Sequence, residues 1–171
     1  FHPDQFVVLN SERAAVVESS LQELELQGTL AELVGADTIC LHAGGAAGGK
    51  PAALDRLARA LDRLGDAARS RLALENDDRT WAPAELLPLC ERAGVPFIYD
   101  VHHHRCLPDG LEVAEVTERA AATWGGREPW AHISSPRDGW GARDPRPHAG
   151  YVDPADFPRE WLGRRMTVDV E

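Results

Sequence analysis

The chain has 171 residues, long enough for one domain with a real core, and 28 Asp and Glu against 18 Lys and Arg leave a net charge of −10. That balance alone argues against a nucleic-acid partner, because phosphate binding normally leaves a basic footprint; the argument weakens if part of the acid binds cations, which reverse the local field. No run approaches the roughly 18 apolar residues of a membrane span, and the three cysteines, Cys40, Cys90 and Cys106, show no paired spacing, which argues against a disulfide framework and favours a reducing, cytoplasmic setting.

In chain order, His2-Pro3 reads as the end of a strand, and the apolar run that follows through Phe6-Val7-Val8-Leu9 reads as core. From Ser11 to Val34 the spacing of Val17, Leu21, Leu24, Leu30 and Leu33 predicts a helix, with Ser11 as N-cap and Gly35 as the stop. The strand Thr38–His42 comes next. The loop AGGAAGGK after it fits neither GxxxxGK[ST] nor a well-placed GxGxxG, so it reads as a flexible connection rather than a nucleotide loop, with Gly44 and Gly45 letting backbone pass close to a site. Pro51 opens a helix bearing Leu54, Leu57, Leu61 and Leu64, which Gly65 ends. The strand Arg71–Glu75 leads through the polar turn NDDR into a helix over Pro83–Ala93, closed by Gly94. Then come the strand Phe97–Asp100, a loop with His102, His103 and His104, the turn Pro108-Asp109-Gly110, a helix over Leu111–Thr123 and the short strand Trp130–His132. Pro136 to Gly150 has no periodicity, and a loop of that length in a compact domain is usually functional. A short helix over Asp153–Leu162 precedes the last strand, Met166–Glu171.

These strands end on His42, Glu75, Asp100, His132 and Glu171 in turn, and most are separated by helix-length segments. Alternating strands and helices predict an α/β fold of the TIM (β/α)8 type, in which the C-terminal strand ends meet at one face. A closed barrel needs about 250 residues, so the expectation is a single partial barrel domain over 1–171 with about six strands, the N-terminal units and last helix missing. Carboxylates and imidazoles at strand ends suit divalent cations. A carboxylate ending a buried strand, as Glu75 does after Leu72-Ala73-Leu74, costs desolvation unless a cation or hydrogen bonds compensate it.

The strings His2-Pro3-Asp4-Gln5-Phe6, Leu41-His42-Ala43-Gly44-Gly45, Leu74-Glu75-Asn76-Asp77-Asp78, Asp100-Val101-His102-His103, His132-Ile133-Ser134-Ser135, His148-Ala149-Gly150-Tyr151-Val152 and Asp169-Val170-Glu171 resemble UV damage endonuclease, in that family's order and from end to end of the chain. The resemblance implies a TIM barrel with a cluster of divalent metals, commonly Mn2+, that cuts the backbone of damaged double-stranded DNA on the 5′ side of a UV photoproduct; no obligate protein partner is evident in the sequence. Residue by residue it implies that His2, His42 and Glu75 hold one metal, that Glu75 bridges to a second held also by Asp100, His132 and Glu171, and that His103 and His148 serve a third. Glu75, His42, Asp100 and Glu171 would then carry the catalytic burden.

The chain departs from the resembled pattern at Trp130, where the family has a metal-cluster lysine; tryptophan cannot ligate, so the count is two metals or three, with Asp138 or Asp144 as substitutes. The family's lesion-probing Gln-Tyr pair is here Gln5-Phe6, which keeps a ring able to wedge into a base stack and loses the hydroxyl. Arg105, Arg137 and Arg143 are candidate phosphate contacts, and His102 and His104 candidate hydrogen-bond partners of the ligand His103. Two other readings stay open: a sugar isomerase or epimerase on the same barrel, since one fold hosts many chemistries, and a degenerate member that binds metal or DNA without cutting.

Overall fold

The computed structural model describes residues 1–171, which divide into two compact units: residues 1–75 with 89–96, and residues 76–88 with 97–171. In the first unit, helix α1 (Ala14–Val34) precedes strand β1 (Ile39–His42), helix α2 (Lys50–Leu61), the short helix α3 (Asp66–Arg69) and strand β2 (Leu72–Glu75). β1 and β2 pair in parallel, with His42 opposite Glu75. Their residues Ile39, Leu41, Leu72 and Leu74 are buried, as expected of parallel strands covered on both faces.

The stop of α1 at Gly35 follows the sequence reading, with φ of 69° in the left-handed region. Its start does not: the helix begins at Ala14, and Ser11 Oγ accepts a hydrogen bond from Arg13 N (3.2 Å) one turn outside it. The buried stripe also differs. Leu21, Leu24, Gly28 and Ala31 are buried whereas Leu30 and Leu33 are exposed, because the small residues let α1 approach the backbone of α3. A Cβ added at Gly28 would lie 2.5 Å from Ala68 N. Gly28→Ala is therefore expected to lower stability by about 1–3 kcal/mol through overpacking, although helix propensity alone would favour alanine; denaturant unfolding of the two proteins checks the sign.

The expected strand at the N-terminus is absent as an element, so there are five strands rather than about six. Phe1 still lies beside β1, its amino group bonding to Thr38 O (2.7 Å) and its carbonyl accepting from Cys40 N (2.8 Å). Phe6–Leu9 is not a strand either: Asp4 turns the chain, accepting from Phe6 N at its side chain and from Val7 N at its carbonyl, and Phe6 is left exposed. Gly44 has φ of 76°, and a Cβ there would lie 2.5 Å from Asn10 Oδ1. Its close approach is to Asn10, whose Nδ2 donates to Gly45 O (2.6 Å). α2 stops at Leu61, leaving Leu64 in a turn ahead of α3, a helix the sequence reading did not foresee.

Helix α4 (Pro83–Ala93) falls within the expected bounds, Pro88 standing where the division between units falls. The second unit continues with strand β3 (Phe97–Asp100), helices α5 (Val101–Cys106) and α6 (Val113–Ala122), strand β4 (Trp130–Ile133), two 3-10 turns (Pro154–Asp156 and Arg159–Trp161) and strand β5 (Thr167–Val170). β3, β4 and β5 pair in parallel in chain order. Two corrections apply here. His102, His103 and His104 are buried on α5 rather than carried on a loop, because Asp100 caps that helix through His103 N (2.7 Å). Asp153–Leu162 forms 3-10 turns, since Pro154 and Pro158 interrupt a continuous helix.

Candidate metal centre

At the C-terminal ends of β1 and β2, His42 Nε2 lies 3.7 Å from Glu75 Oε2, and His2 Nε2 lies 3.7 Å from the same oxygen. The two imidazole rings meet edge to face at 5.4 Å. Glu75 is fully buried, while both histidines keep about two fifths of their side chains open to solvent. The fourth neighbour was not foreseen: Cys40 Sγ donates to Glu75 Oε2 at 2.9 Å. Cys40 sits two residues before His42, and side chains at i and i+2 share a strand face, so the period of the strand was the available signal.

In the second unit, Asp100, His132 and Glu171 each offer a ligand atom, all within 4.8 Å of one another. The register sets this up, with Asp100 opposite His132 and His132 opposite Asp169. His132 Nδ1 is 3.0 Å from Glu171 Oε1, and its Nε2 is 3.9 Å from Asp169 Oδ2, an acid not singled out in the sequence although it shares a strand face with Glu171. Asn76, the residue after Glu75, holds Asp100 in place: Asp100 N donates to Asn76 Oδ1 (3.0 Å) and Asn76 Nδ2 donates to Asp100 O (2.9 Å).

His103 Nδ1 is 3.0 Å from Asn76 O and 3.4 Å from Asp100 Oδ2. The irregular stretch after β4 folds back, Arg137 N donating to Pro147 O (2.7 Å) and Ala149 N to Ser135 O (2.8 Å). This brings the His148 ring to 5.7 Å from that of His103 and 4.9 Å from that of His102. Burial holds the His102 imidazole below its ordinary pKa despite its hydrogen bond to Arg146 O, and the charges of His148 and His103 act in the same direction. His104 faces elsewhere, its Nδ1 2.7 Å from Tyr99 Oη and its Nε2 2.9 Å from Asp109 Oδ1.

The basic candidates divide. Arg105 is tied to Asp156, donating to its carbonyl (2.8 Å), and lies 5.7 Å from the centre of the Trp140 ring. Arg137 and Arg143 are exposed, and Arg137 pairs with Asp138 (3.1 Å). Asp144 makes a two-pronged pair with Arg146 (2.7 and 3.0 Å). Trp130 is half-buried and lines a cavity of about 210 Å³ with Tyr99, Thr117, Trp161 and Arg164.

Both clusters fit divalent cations chemically. A fully buried carboxylate needs a counter-charge or strong donors, and imidazole, carboxylate and thiol are ligands for such ions. The three cysteines are free thiols, and no helix is long and apolar enough to cross a membrane.

The model of the UV-endonuclease UvdE family matches residues 1–171. The UV DNA damage endonuclease of Deinococcus radiodurans is 40% identical over 169 residues, covering 92% of this chain and 52% of that protein. The chain spans about half the length of such curated relatives. Among solved structures, SacUVDE superposes with a TM-score of 0.88 and 30% identity over 99% of this chain and 58% of its own. Endonuclease IV from Thermus thermophilus, with a TM-score of 0.69 and 23% identity over 99% of this chain and 66% of its own, shares the fold. The fold is accordingly an incomplete TIM-type barrel, as the strand and helix order predicts. The chain belongs to the UV-endonuclease UvdE family.

Proposed function

We propose that this chain carries the metal centre of an endonuclease that cuts DNA on the 5′ side of UV photoproducts. The observation that supports it most is the convergence of Asp100, His132 and Glu171, two carboxylates and an imidazole from the ends of three different strands, with ligand atoms within 4.8 Å. In this reading His2, His42 and Glu75 hold one cation, Asp100, His132 and Glu171 hold a second, and His103 and His148 hold a third, with Mn2+ as the working ion. Such cations, when bound, supply a water of lowered pKa, a clamp on the scissile phosphate and charge neutralisation at the leaving 3′ oxygen.

The chain's own residues do the rest. Asn76 fixes the backbone of Asp100 through two hydrogen bonds, so that the carboxylate is held before the substrate arrives. The exposed Arg137 and Arg143 contact phosphates. Arg105, committed to Asp156, supports the stretch after β4 and is not proposed as a phosphate contact. Gln5 and Phe6 probe the lesion: Phe6 is 77% exposed, so its ring is open to stack on or wedge between bases.

Phe6→Ala is expected to weaken binding to UV-irradiated duplex by about tenfold, the loss of one stacking contact of about 1–3 kcal/mol, and to leave thermal stability unchanged. Equilibrium binding to irradiated and unirradiated duplexes, beside a melting curve, checks both parts. The function itself is tested by nicking of UV-irradiated supercoiled plasmid in Mn2+, with unirradiated plasmid and EDTA as controls. Metal-dependent nicking confined to irradiated DNA supports it, and equal nicking of both plasmids rejects it.

A further inference from the structure

The thiol beside Glu75 has no part in the reading above. Cys40 is 5% exposed, lies on the same face of β1 as His42, and places Sγ 2.9 Å from Glu75 Oε2. One ligand atom each from His2, Cys40 and Glu75 lies within 4.8 Å of the others. Ligand bonds of about 2.0 Å to nitrogen or oxygen and about 2.3 Å to sulfur place the ligand atoms of one ion roughly 3 to 4.5 Å apart, so a small movement of these three groups brings all of them onto a single centre. We infer that Cys40 is a ligand, and that it sharpens the preference of the His2 and Glu75 site for Zn2+ and other thiophilic divalent cations over Mn2+. The inference rests on the proposal that His2, His42 and Glu75 form a cation site.

The preference follows from ligand softness. A site of imidazole and carboxylate already binds Zn2+ more tightly than Mn2+ in the general order of divalent affinities, and a thiolate, which suits Zn2+ and its soft neighbours, widens that gap. As the ion binds, the Cys40 S–H bond breaks, the sulfur keeps the electron pair as the metal ligand, and the proton passes to buffer. The hydrogen bond from Cys40 to Glu75 is replaced by coordination of both groups to the same ion. The consequence is that Zn2+ displaces Mn2+ at the His2 and Glu75 site, while the cluster of Asp100, His132 and Glu171, which has no thiol, keeps its preference for oxygen and nitrogen chemistry.

The test uses the purified protein with Zn2+, Co2+ and Mn2+ in separate titrations, read by optical absorption for Co2+, X-ray absorption for Zn2+ and paramagnetic resonance for Mn2+. Expected are a thiolate-to-metal charge-transfer band with Co2+, one sulfur neighbour at about 2.3 Å from Zn2+, and loss of both in Cys40→Ser but not in Cys90→Ser or Cys106→Ser. The ratio of Zn2+ to Mn2+ affinity should fall about tenfold or more in Cys40→Ser. The wild-type spectra stand without any variant, so misfolding of Cys40→Ser does not protect the inference. If Zn2+ and Mn2+ bind but no sulfur neighbour appears, the inference is overturned and the cation site stands. If no cation binds, both fall. A charge-transfer band that survives in Cys40→Ser and disappears in Cys106→Ser also overturns it.

Discussion

Glu75→Gln is expected to abolish cation binding at the His2 and His42 site and to reduce incision by on the order of a thousandfold, while leaving the metal-free protein as stable as the wild type or more so. The amide has the volume of the carboxylate, so no cavity forms in a position that is fully buried. What is lost is the negative charge 3.7 Å from two imidazoles, and with it one of the groups that would hold a cation there. Removing one partner of a buried charge pair costs about 3–5 kcal/mol, which is two to three decades or more in affinity. Without metal the sign reverses, because burying an ionised carboxylate costs far more desolvation than burying an amide. Cation titration and melting curves with and without metal therefore separate a ligand from a structural acid. A large loss of metal-free stability with unchanged cation affinity would make Glu75 structural.

The second large effect is expected at Asp109, which is not itself a proposed ligand but holds the end of the segment that carries Asp100 and His103. Its carboxylate accepts hydrogen bonds from Ala84 N (2.6 Å) and Leu111 N (2.9 Å) and pairs with His104, which meets Tyr99 Oη at 2.7 Å. With Nε2–H donated to Asp109, Nδ1 of His104 accepts the Tyr99 hydroxyl proton. Asp109→Ala strands two backbone donors, an imidazole and indirectly a phenol, all buried or nearly so, and should cost about 3 kcal/mol or more. It should also loosen α5, which carries His103. The same contacts predict a pH dependence. Burial works against ionisation of Asp109, but the Ala84 and Leu111 amides and the His104 side chain outweigh it and hold its pKa below the ordinary value. A depressed folded-state pKa means that the stabilisation is complete above the unfolded value of about 3.9 and is lost as pH falls below it. The stability gap between wild type and Asp109→Asn should accordingly be full at neutral pH and shrink below about pH 4, measured by denaturant unfolding at each pH.

The strand ends were legible because two simple rules agree there. Runs such as LALE and FIYD are short, apolar and bounded by turn residues, and each closes on a ligand type; the structure places them at Leu72–Glu75 and Phe97–Asp100. Helix ends marked by glycine, Gly35 and Gly94, were legible for the same reason, since both adopt positive φ that other residues resist. The misreadings have two causes, short-range capture of the backbone by an acidic side chain and long-range packing. Phe6-Val7-Val8-Leu9 has strand composition, but Asp4 captures the local backbone and Ser20 Oγ takes Val8 N (2.8 Å). Leu30 and Leu33 match the helical spacing, yet the buried face of α1 is set by Gly28 and Ala31 against α3, and an unforeseen four-residue helix cannot be read from α1. His102 to His104 look like loop residues until the Asp100 cap turns them into a helix. Cys40 and Asn76 were readable in principle, the first from strand parity with His42 and the second from its place beside Glu75, but neither residue type announces a site without the fold around it.

If these strand ends serve metal-dependent cutting of the strand next to a photoproduct, the position of the cut reports it directly. The protein is incubated in Mn2+ with an end-labelled duplex carrying a single pyrimidine dimer, beside the undamaged duplex and an EDTA control. One incision is expected immediately 5′ of the dimer, leaving a 3′ hydroxyl, absent with EDTA and absent from the undamaged duplex. Incision that persists in EDTA, or that falls at the same positions with and without the dimer, would contradict it.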